Sequence, residues 1–150
     1  MAFSRGLTVR AEPETCWSSM TDVPQLVSWV SILQDAQEIA HLDRYTAVLM
    51  DRVGPFKLRA DLAIEVSELR PYEHLRVVAA GEDRAVASRL AVDAGLSLAP
   101  QSHGCRITLE GTYEVVGKLA TLGGAVIKQK ANRILDDFFA HVGRELGVVP

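Results

Sequence analysis

Apolar residues in the last third of the chain recur at the spacing of one helix face. Between Lys118 and Leu146 this stripe comprises Leu119, Leu122, Val126, Ile127, Ala131, Ile134, Leu135, Phe138 and Val142. The pattern predicts one amphipathic helix of about thirty residues, ~45 Å long at 1.5 Å per residue. Gly123 and Gly124 lie inside it, where each costs roughly 1 kcal/mol relative to alanine. Such a pair favours close packing or a kink, and the functional alternative is a flexible gate.

Period-2 alternation of apolar and polar residues dominates the middle of the chain. It is clearest from Leu58 to Val66, from Val86 to Leu98 and from Cys105 to Val115. Phe3 to Val9 alternates in the same way and predicts a first strand. Pro13 to Met20 predicts a short helix with proline in its first turn, and Asp22 is the expected N-cap of a second short helix.

Turn residues separate the alternating segments at hairpin-length intervals, for example at Gly54-Pro55 and Gly81-Glu82-Asp83. These intervals are too short for parallel crossovers, so the strands should pair antiparallel. The predicted order is β-α-α-β-β-β-β-β-β-α. This is an α+β fold in which a curved antiparallel sheet of about seven strands surrounds the long C-terminal helix. We expect a single domain over residues 1–150, with a ligand-holding space between sheet and helix.

Composition and charge narrow the class of protein. Hydrophobic residues make up 48 % of the chain and the net charge is −3, so there is no basic surface suited to nucleic acid. Two cysteines cannot build a disulfide framework, which favours a cytoplasmic location. No apolar run reaches the roughly 18 residues of a membrane span, so we expect at most peripheral membrane contact.

A search for catalytic chemistry finds no complete constellation. The His103-Gly104-Cys105 pair falls short of the three or four ligands of a zinc site. Cys16 and Cys105 are better interpreted as small core residues than as nucleophiles. The sequence contains no glycine-rich phosphate loop. We therefore predict no metal, no cofactor and no catalytic residue, and we place no His, Asp or Glu on an inward-facing strand position.

The candidate ligand-binding residues are large apolar groups at segment ends, inward strand positions, and two hydroxyls. They are Trp29, Met50, Phe56, Leu58, Ser88, Leu90, Tyr113, Leu122, Val126 and Ile127. Ser88 and Tyr113 would supply the few polar groups that orient a ligand in an apolar pocket of ~300–1,000 Å³. For Ser88, a hydroxyl bonded to local backbone is the competing interpretation.

Several short motifs, in order along nearly the whole chain, resemble the G-subunit family of carbon monoxide dehydrogenase. They are Pro13-Glu14-Thr15-Cys16-Trp17, Val53-Gly54-Pro55-Phe56-Lys57, Gly81-Glu82-Asp83-Arg84 with Ser88, Gly117 to Gly123, and Leu135-Asp136-Asp137-Phe138-Phe139. The resemblance implies the START-like, helix-grip fold, whose members enclose a hydrophobic cavity. It also implies a lipid- or quinone-like ligand and a link to the maturation or membrane coupling of molybdenum-containing carbon monoxide dehydrogenases.

Three functional hypotheses remain open from the sequence. The first is a non-catalytic carrier of a small hydrophobic molecule. The second is an enzyme of the polyketide cyclase or aromatase type, which would need a buried acid or base in the cavity. The third is an assembly factor that binds a redox enzyme complex through its surface, with the tail from Leu146 to Val149 as a candidate contact. The sequence does not determine the oligomeric state.

Overall fold

The alternating segments form one seven-stranded antiparallel sheet, which confirms the predicted fold class. A computed structural model describes residues 1–149. The strands are β1 (Ala2–Val9), β2 (Leu33–Ala40), β3 (Arg44–Val53), β4 (Phe56–Arg70), β5 (His74–Asp83), β6 (Ser88–Gln101) and β7 (Gly104–Gly117). Their spatial order is β1-β7-β6-β5-β4-β3-β2. Strands β2 to β7 therefore pair in chain order through hairpins, and β1 pairs with β7.

Two short helices connect β1 to β2, as predicted. Helix α1 (Pro13–Met20) begins at a proline, whose missing N–H costs nothing in a first turn. Helix α2 (Val23–Ser28) is capped by Asp22, whose carboxylate accepts a hydrogen bond from the Gln25 N–H at 3.2 Å. The inward faces of both helices are buried at Cys16, Met20 and Val23.

The predicted C-terminal helix is present, but it begins at Gly124 rather than at Lys118. Residues Lys118–Leu122 form a 3-10 turn, and helix α3 runs from Gly124 to Leu146. Gly123 separates them with φ +93° and ψ 154°, a conformation that is open essentially to glycine alone. The glycine pair therefore produces a break, because the chain must redirect between the 3-10 turn and α3.

Strand register defines the face of the sheet that looks toward α3. Along β6, the even-numbered residues from Leu90 to Leu98 share this concave face. Leu96 and Leu98 on this face pack in one cluster with Phe138 of α3. Asp51 of β3 pairs with Leu58, and Arg5 of β1 pairs with Leu109, so both charged residues belong to the concave face as well.

The buried apolar residues form two separate clusters. The first, which we call the closed core, joins β1, α1, Trp29 at the end of α2, the ends of β6 and β7, and the C-terminal half of α3. It consists of Val9, Cys16, Met20, Trp29, Leu96, Leu98, Cys105, Ile107, Phe138, Phe139, Val142 and Leu146. The second, the side core, is centred on β3, β4 and α2. It consists of Val23, Val27, Tyr45, Ala47, Leu49, Leu58, Ala60, Leu62, Ile64, Val86 and Leu119.

The end of α3 is tied back to the start of the chain. The Ala11 N–H donates to the Leu146 carbonyl at 3.1 Å, and the Arg10 N–H donates to the Gly147 carbonyl at 2.7 Å. The Val149 N–H donates to the Thr8 carbonyl at 3.1 Å, so the tail runs along β1. Leu146 is part of the closed core, and its role in the fold competes with a role as a partner contact.

Candidate functional site

Apolar residues stay accessible on the N-terminal half of α3 and in the middle of the concave face of the sheet. Val92 points toward α3 from β6, yet its side chain remains 36 % exposed. Along the helix, Ile127, Ala131, Ile134 and Leu135 are partly exposed, whereas Phe138, Phe139 and Val142 are buried. The apolar stripe is thus covered in its second half and accessible in its first. We call the accessible apolar surface of the first half of α3 and of the facing part of the sheet the grip cleft.

Small residues make room for the grip cleft. Val92 pairs with Ala79 on one side and Tyr113 on the other, and the next inward position on β6 is Ala94, opposite Gly111. Alanine and glycine are small, so these positions cover little of the neighbouring Val92 side chain. Phe3 of β1 faces the same side opposite Gly111, with its ring 6.3 Å from that of Tyr113.

Two side chains predicted to bind ligand are placed at the ends of this space. Trp29 is buried in the closed core, where its ring lies edge-on to Phe138 at 6.2 Å and parallel to the His141 ring at 6.3 Å. Leu122 packs against the tip of the β3–β4 hairpin at Gly54. The contact is close: a Cβ atom in place of the glycine hydrogen would lie 3.0 Å from Leu122 Cδ2. Trp29 and Leu122 therefore belong to opposite ends of the grip.

The remaining apolar candidates divide between the walls and the helix. Phe56 and Leu58 lie on the concave parity of β4, packed with or within the side core. Leu90 is partly buried next to that cluster. Val126 and Ile127 occupy the first turn of α3, where Val126 is 42 % exposed.

Met50 lies on the opposite face of the sheet from the other candidate ligand-binding residues. It pairs with Arg59 on the convex face of the sheet, one residue out of phase with Leu49 and Asp51. Its sulfur lies 2.9 Å from Gln34 Nε2, and the side chain is 40 % exposed. The prediction of Met50 as a lining residue is corrected here: alternation along β3 sends its side chain away from the helix.

The two predicted hydroxyls have different environments. Ser88 is 2 % exposed; its hydroxyl donates to the Val86 carbonyl at 3.1 Å and accepts from the Leu119 N–H at 2.9 Å. It fastens the 3-10 turn to β6. The Tyr113 hydroxyl donates to the Met1 sulfur at 3.2 Å, a weak acceptor, and burial raises the pKa of this phenol. Tyr113 is thus the more available of the two.

Asp51, Asp83 and Lys130 are polar residues at the grip that the sequence analysis missed. Asp51 faces inward from β3, and its carboxylate is 2.9 Å from the ammonium of Lys130 on α3. Asp83 ends β5 and accepts hydrogen bonds from the N–H groups of Arg59 and Val86. The Arg59 bond, with help from Val86, lowers the pKa of Asp83, so this carboxylate stays ionised.

A signal for this ion pair was present in the sequence. Lys130 falls three residues after Ile127 and four before Ile134, which places it beside the apolar stripe of the helix. Asp51 continues the period-2 series Ala47 and Leu49. The spacing of Asp51 along its strand and of Lys130 along its helix therefore predicts that both side chains face the cleft, although both are charged.

Two recesses elsewhere on the surface are lined mainly by polar and charged residue types. One of about 300 Å³ lies near the contact between His41 Nδ1 and Glu38 Oε1, which are 2.8 Å apart. The other, of about 630 Å³, lies between the β6–β7 turn and the segment around Arg10 and Glu12. Within residues 1–149, no three His, Cys, Asp or Glu side chains are grouped to hold a metal ion. In that same part of the chain, no helix has the length and apolar character needed to cross a membrane.

The curved antiparallel sheet and the long helix packed against it define a START-like helix-grip fold. A START superfamily protein from Mycobacterium smegmatis has the same fold, with a TM-score of 0.71 at 12 % identity over 97 % of this chain and 96 % of that one. A protein from Chromobacterium violaceum matches with a TM-score of 0.69 at 13 % identity over 97 % of both chains.

Within this class the chain belongs to the G-subunit (CoxG) family of carbon monoxide dehydrogenase, whose model matches residues 6–147. The resemblance stated from the motifs is thereby confirmed. A conserved protein from Geobacillus kaustophilus is similar in structure, with a TM-score of 0.81 at 25 % identity over 97 % of this chain and 93 % of that one. Among curated proteins, none matches this sequence significantly.

Proposed function

We propose that this protein is a non-catalytic binding or carrier protein for a small hydrophobic molecule of the lipid or quinone type. The observation that carries the proposal is the grip cleft. Inward-facing apolar side chains, Val92 above all, stay accessible to solvent although they look toward a helix. Exposure of apolar surface to water costs free energy in proportion to the exposed area. A bound apolar ligand would cover this surface and remove that cost.

The proposed site includes nine of the ten predicted residues and excludes Met50. Leu90, Tyr113, Val126 and Ile127 would contact the ligand directly. Phe56, Leu58 and Leu122 would close one end of the space and Trp29 the other, while Ser88 would act by holding the 3-10 turn. Tyr113 is next to Val92 across the β6–β7 ladder, so its hydroxyl is suited to orient a polar group.

Family membership supports a link to carbon monoxide dehydrogenase, and we propose an accessory or maturation role for such a redox enzyme as the context of the carrier. The cyclase-type alternative needs an acid or base in the cleft. Asp51 is a partly buried carboxylate in that position, but its charge is matched by Lys130, and Asp83 is committed to backbone N–H groups. Neither arrangement favours catalysis over binding.

Native mass spectrometry of the purified protein, followed by organic extraction, tests the carrier function directly. Stoichiometric lipid or quinone is the expected result. Leu90→Trp and Val126→Trp should each abolish uptake by filling the cleft, with the fold retained. Val78→Trp is the matched control, because Val78 is 38 % exposed on the convex face. Unchanged affinity in both cleft variants would contradict the proposed site.

A further inference from the structure

One ion pair joins α3 to the concave face of the sheet at β3. The ammonium of Lys130 donates to Asp51 Oδ1 at 3.2 Å and lies 2.9 Å from Oδ2. The side chains are 28 % and 16 % exposed, respectively. A second ion pair between α3 and the sheet, Arg5 with Asp136, is at the surface, because Asp136 is 68 % exposed. The Lys130–Asp51 pair is therefore the better shielded of these two.

Both partners border the grip cleft. Lys130 is one helical turn after Val126 and adjoins the stripe of Ile127 and Ile134. Asp51 is on the concave parity of β3, paired with the buried Leu58. A partly desolvated ion pair beside an accessible apolar surface is a strong local source of hydrogen bonding, because shielding from water strengthens its electrostatics.

The number of N–H donors on Lys130 and the zero net charge of the ion pair restrict which ligands it can bind. An ammonium has three N–H donors, and a single carboxylate takes two of them at most. At least one donor of Lys130 thus meets no acceptor among residues 1–149. The pair has no net charge, so it offers a hydrogen bond without attracting an anion. A ligand carboxylate would meet the carboxylate of Asp51 within a partly buried space, which is unfavourable.

We propose that the Lys130–Asp51 pair is the polar anchor of the grip cleft and selects neutral amphiphiles with an accepting oxygen over carboxylates. A ketone, ester or hydroxyl oxygen of the ligand would accept the unused N–H of Lys130, while the apolar body of the ligand covers the accessible first half of α3. This inference rests on the proposed function, because it names the headgroup of the ligand held in the same cleft.

Competition between two ten-carbon probes tests the anchor. Displacement of the neutral dye Nile red by 2-decanone and by decanoate gives two affinities, and their ratio isolates the headgroup. Wild-type protein should prefer the ketone by about tenfold, the worth of one charge-assisted hydrogen bond. Asp51→Asn leaves Lys130 as an unmatched cation and should shift the ratio toward decanoate by about tenfold or more.

Glu65→Gln is the matched control, since it removes the same charge from the exposed pair that Glu65 on β4 forms with Arg44 on β3. Its ratio should equal that of the wild type. Lys130→Met should lower the affinity for 2-decanone by about tenfold and serves as the test should Asp51→Asn fail to fold. Binding of both probes with a ratio that neither variant moves would overturn the anchor alone. Failure of the wild type to bind Nile red or either probe would overturn the carrier function and the anchor with it.

Discussion

The two halves of α3 carry the same apolar stripe but have different surroundings. From Phe138 to Leu146 the stripe is buried against the closed core, with α1, α2 and the ends of β6 and β7 around it. From Gly124 to Leu135 the stripe stays partly exposed. The comparison teaches that helical periodicity reports which face looks inward. Whether protein atoms fill the space beneath that face depends on the size of residues far away in sequence.

The closed half should carry the stability of the grip, and substitution of Phe138 gives the largest expected effect. Phe138→Ala removes a ring packed 6.2 Å from Trp29 and 5.5 Å from Phe139, which should cost about 3–5 kcal/mol in the free energy of unfolding. Ile134→Ala, one turn earlier on the same stripe, should cost no more than about 1.5 kcal/mol because its side chain is only partly buried. Denaturant titration of both variants measures the difference. Equal losses would contradict the division of the helix.

The burial of Cys16 in the closed core predicts a pH dependence of stability. Burial raises the pKa of the Cys16 thiol from 9.0 to about 12, with its neighbour Cys105 adding to the effect. The folded protein keeps this proton while the unfolded chain loses it. The stabilising contribution is therefore complete below pH 9 and is lost as the pH rises toward about 12.

Replacement of Cys16 isolates this contribution from other groups that titrate in the same range. Deprotonation of the unfolded thiol should make the free energy of unfolding of the wild type fall more steeply than that of Cys16→Ala between about pH 8 and about pH 10.5. A constant offset from the lost side-chain volume does not affect the slope. Parallel slopes for the two proteins would show that the closed core does not hold the thiol in its protonated form.

The two adjacent glycines at the start of α3 should respond oppositely to alanine. Gly123→Ala forces a side chain into φ +93° and should cost about 1–2 kcal/mol, although no atom lies within 4 Å of the new Cβ. Gly124→Ala adds a better helix former, whose Cβ would meet Met1 Cε at 3.9 Å, and should stabilise by up to about 1 kcal/mol.

Thermal denaturation of this pair distinguishes a fixed break from a flexible gate. Opposite signs support a break whose conformation is held in the folded protein. If both substitutions were neutral, the open half of the grip would sample other conformations at this point. Ligand affinity of Gly123→Ala, measured with the same dye, shows whether the break also shapes the cleft.

Much of the fold could be predicted from local pattern because each element depends on its own residues. Alternation from Leu58 to Val66 specified a strand with one inward face, and Asp22 capped α2 as its position indicated. Hairpin-length turns made an antiparallel order the available solution. The same patterns failed where local and tertiary requirements conflict: the helical pattern ran on through Gly123, whose positive φ is imposed by the connection between the 3-10 turn and α3.

The sequence by itself determined the element order, the inward phase of β1, β4, β6 and β7, and the family to which the chain belongs. Only the tertiary structure decided that Met50 faces outward, that Lys130 meets Asp51 across 79 residues, and that Val92 remains accessible on the concave face. The physical reason is that periodicity is a property of neighbouring residues. A cleft and its ion pair depend on the curvature of the sheet and on side-chain volumes contributed by distant strands.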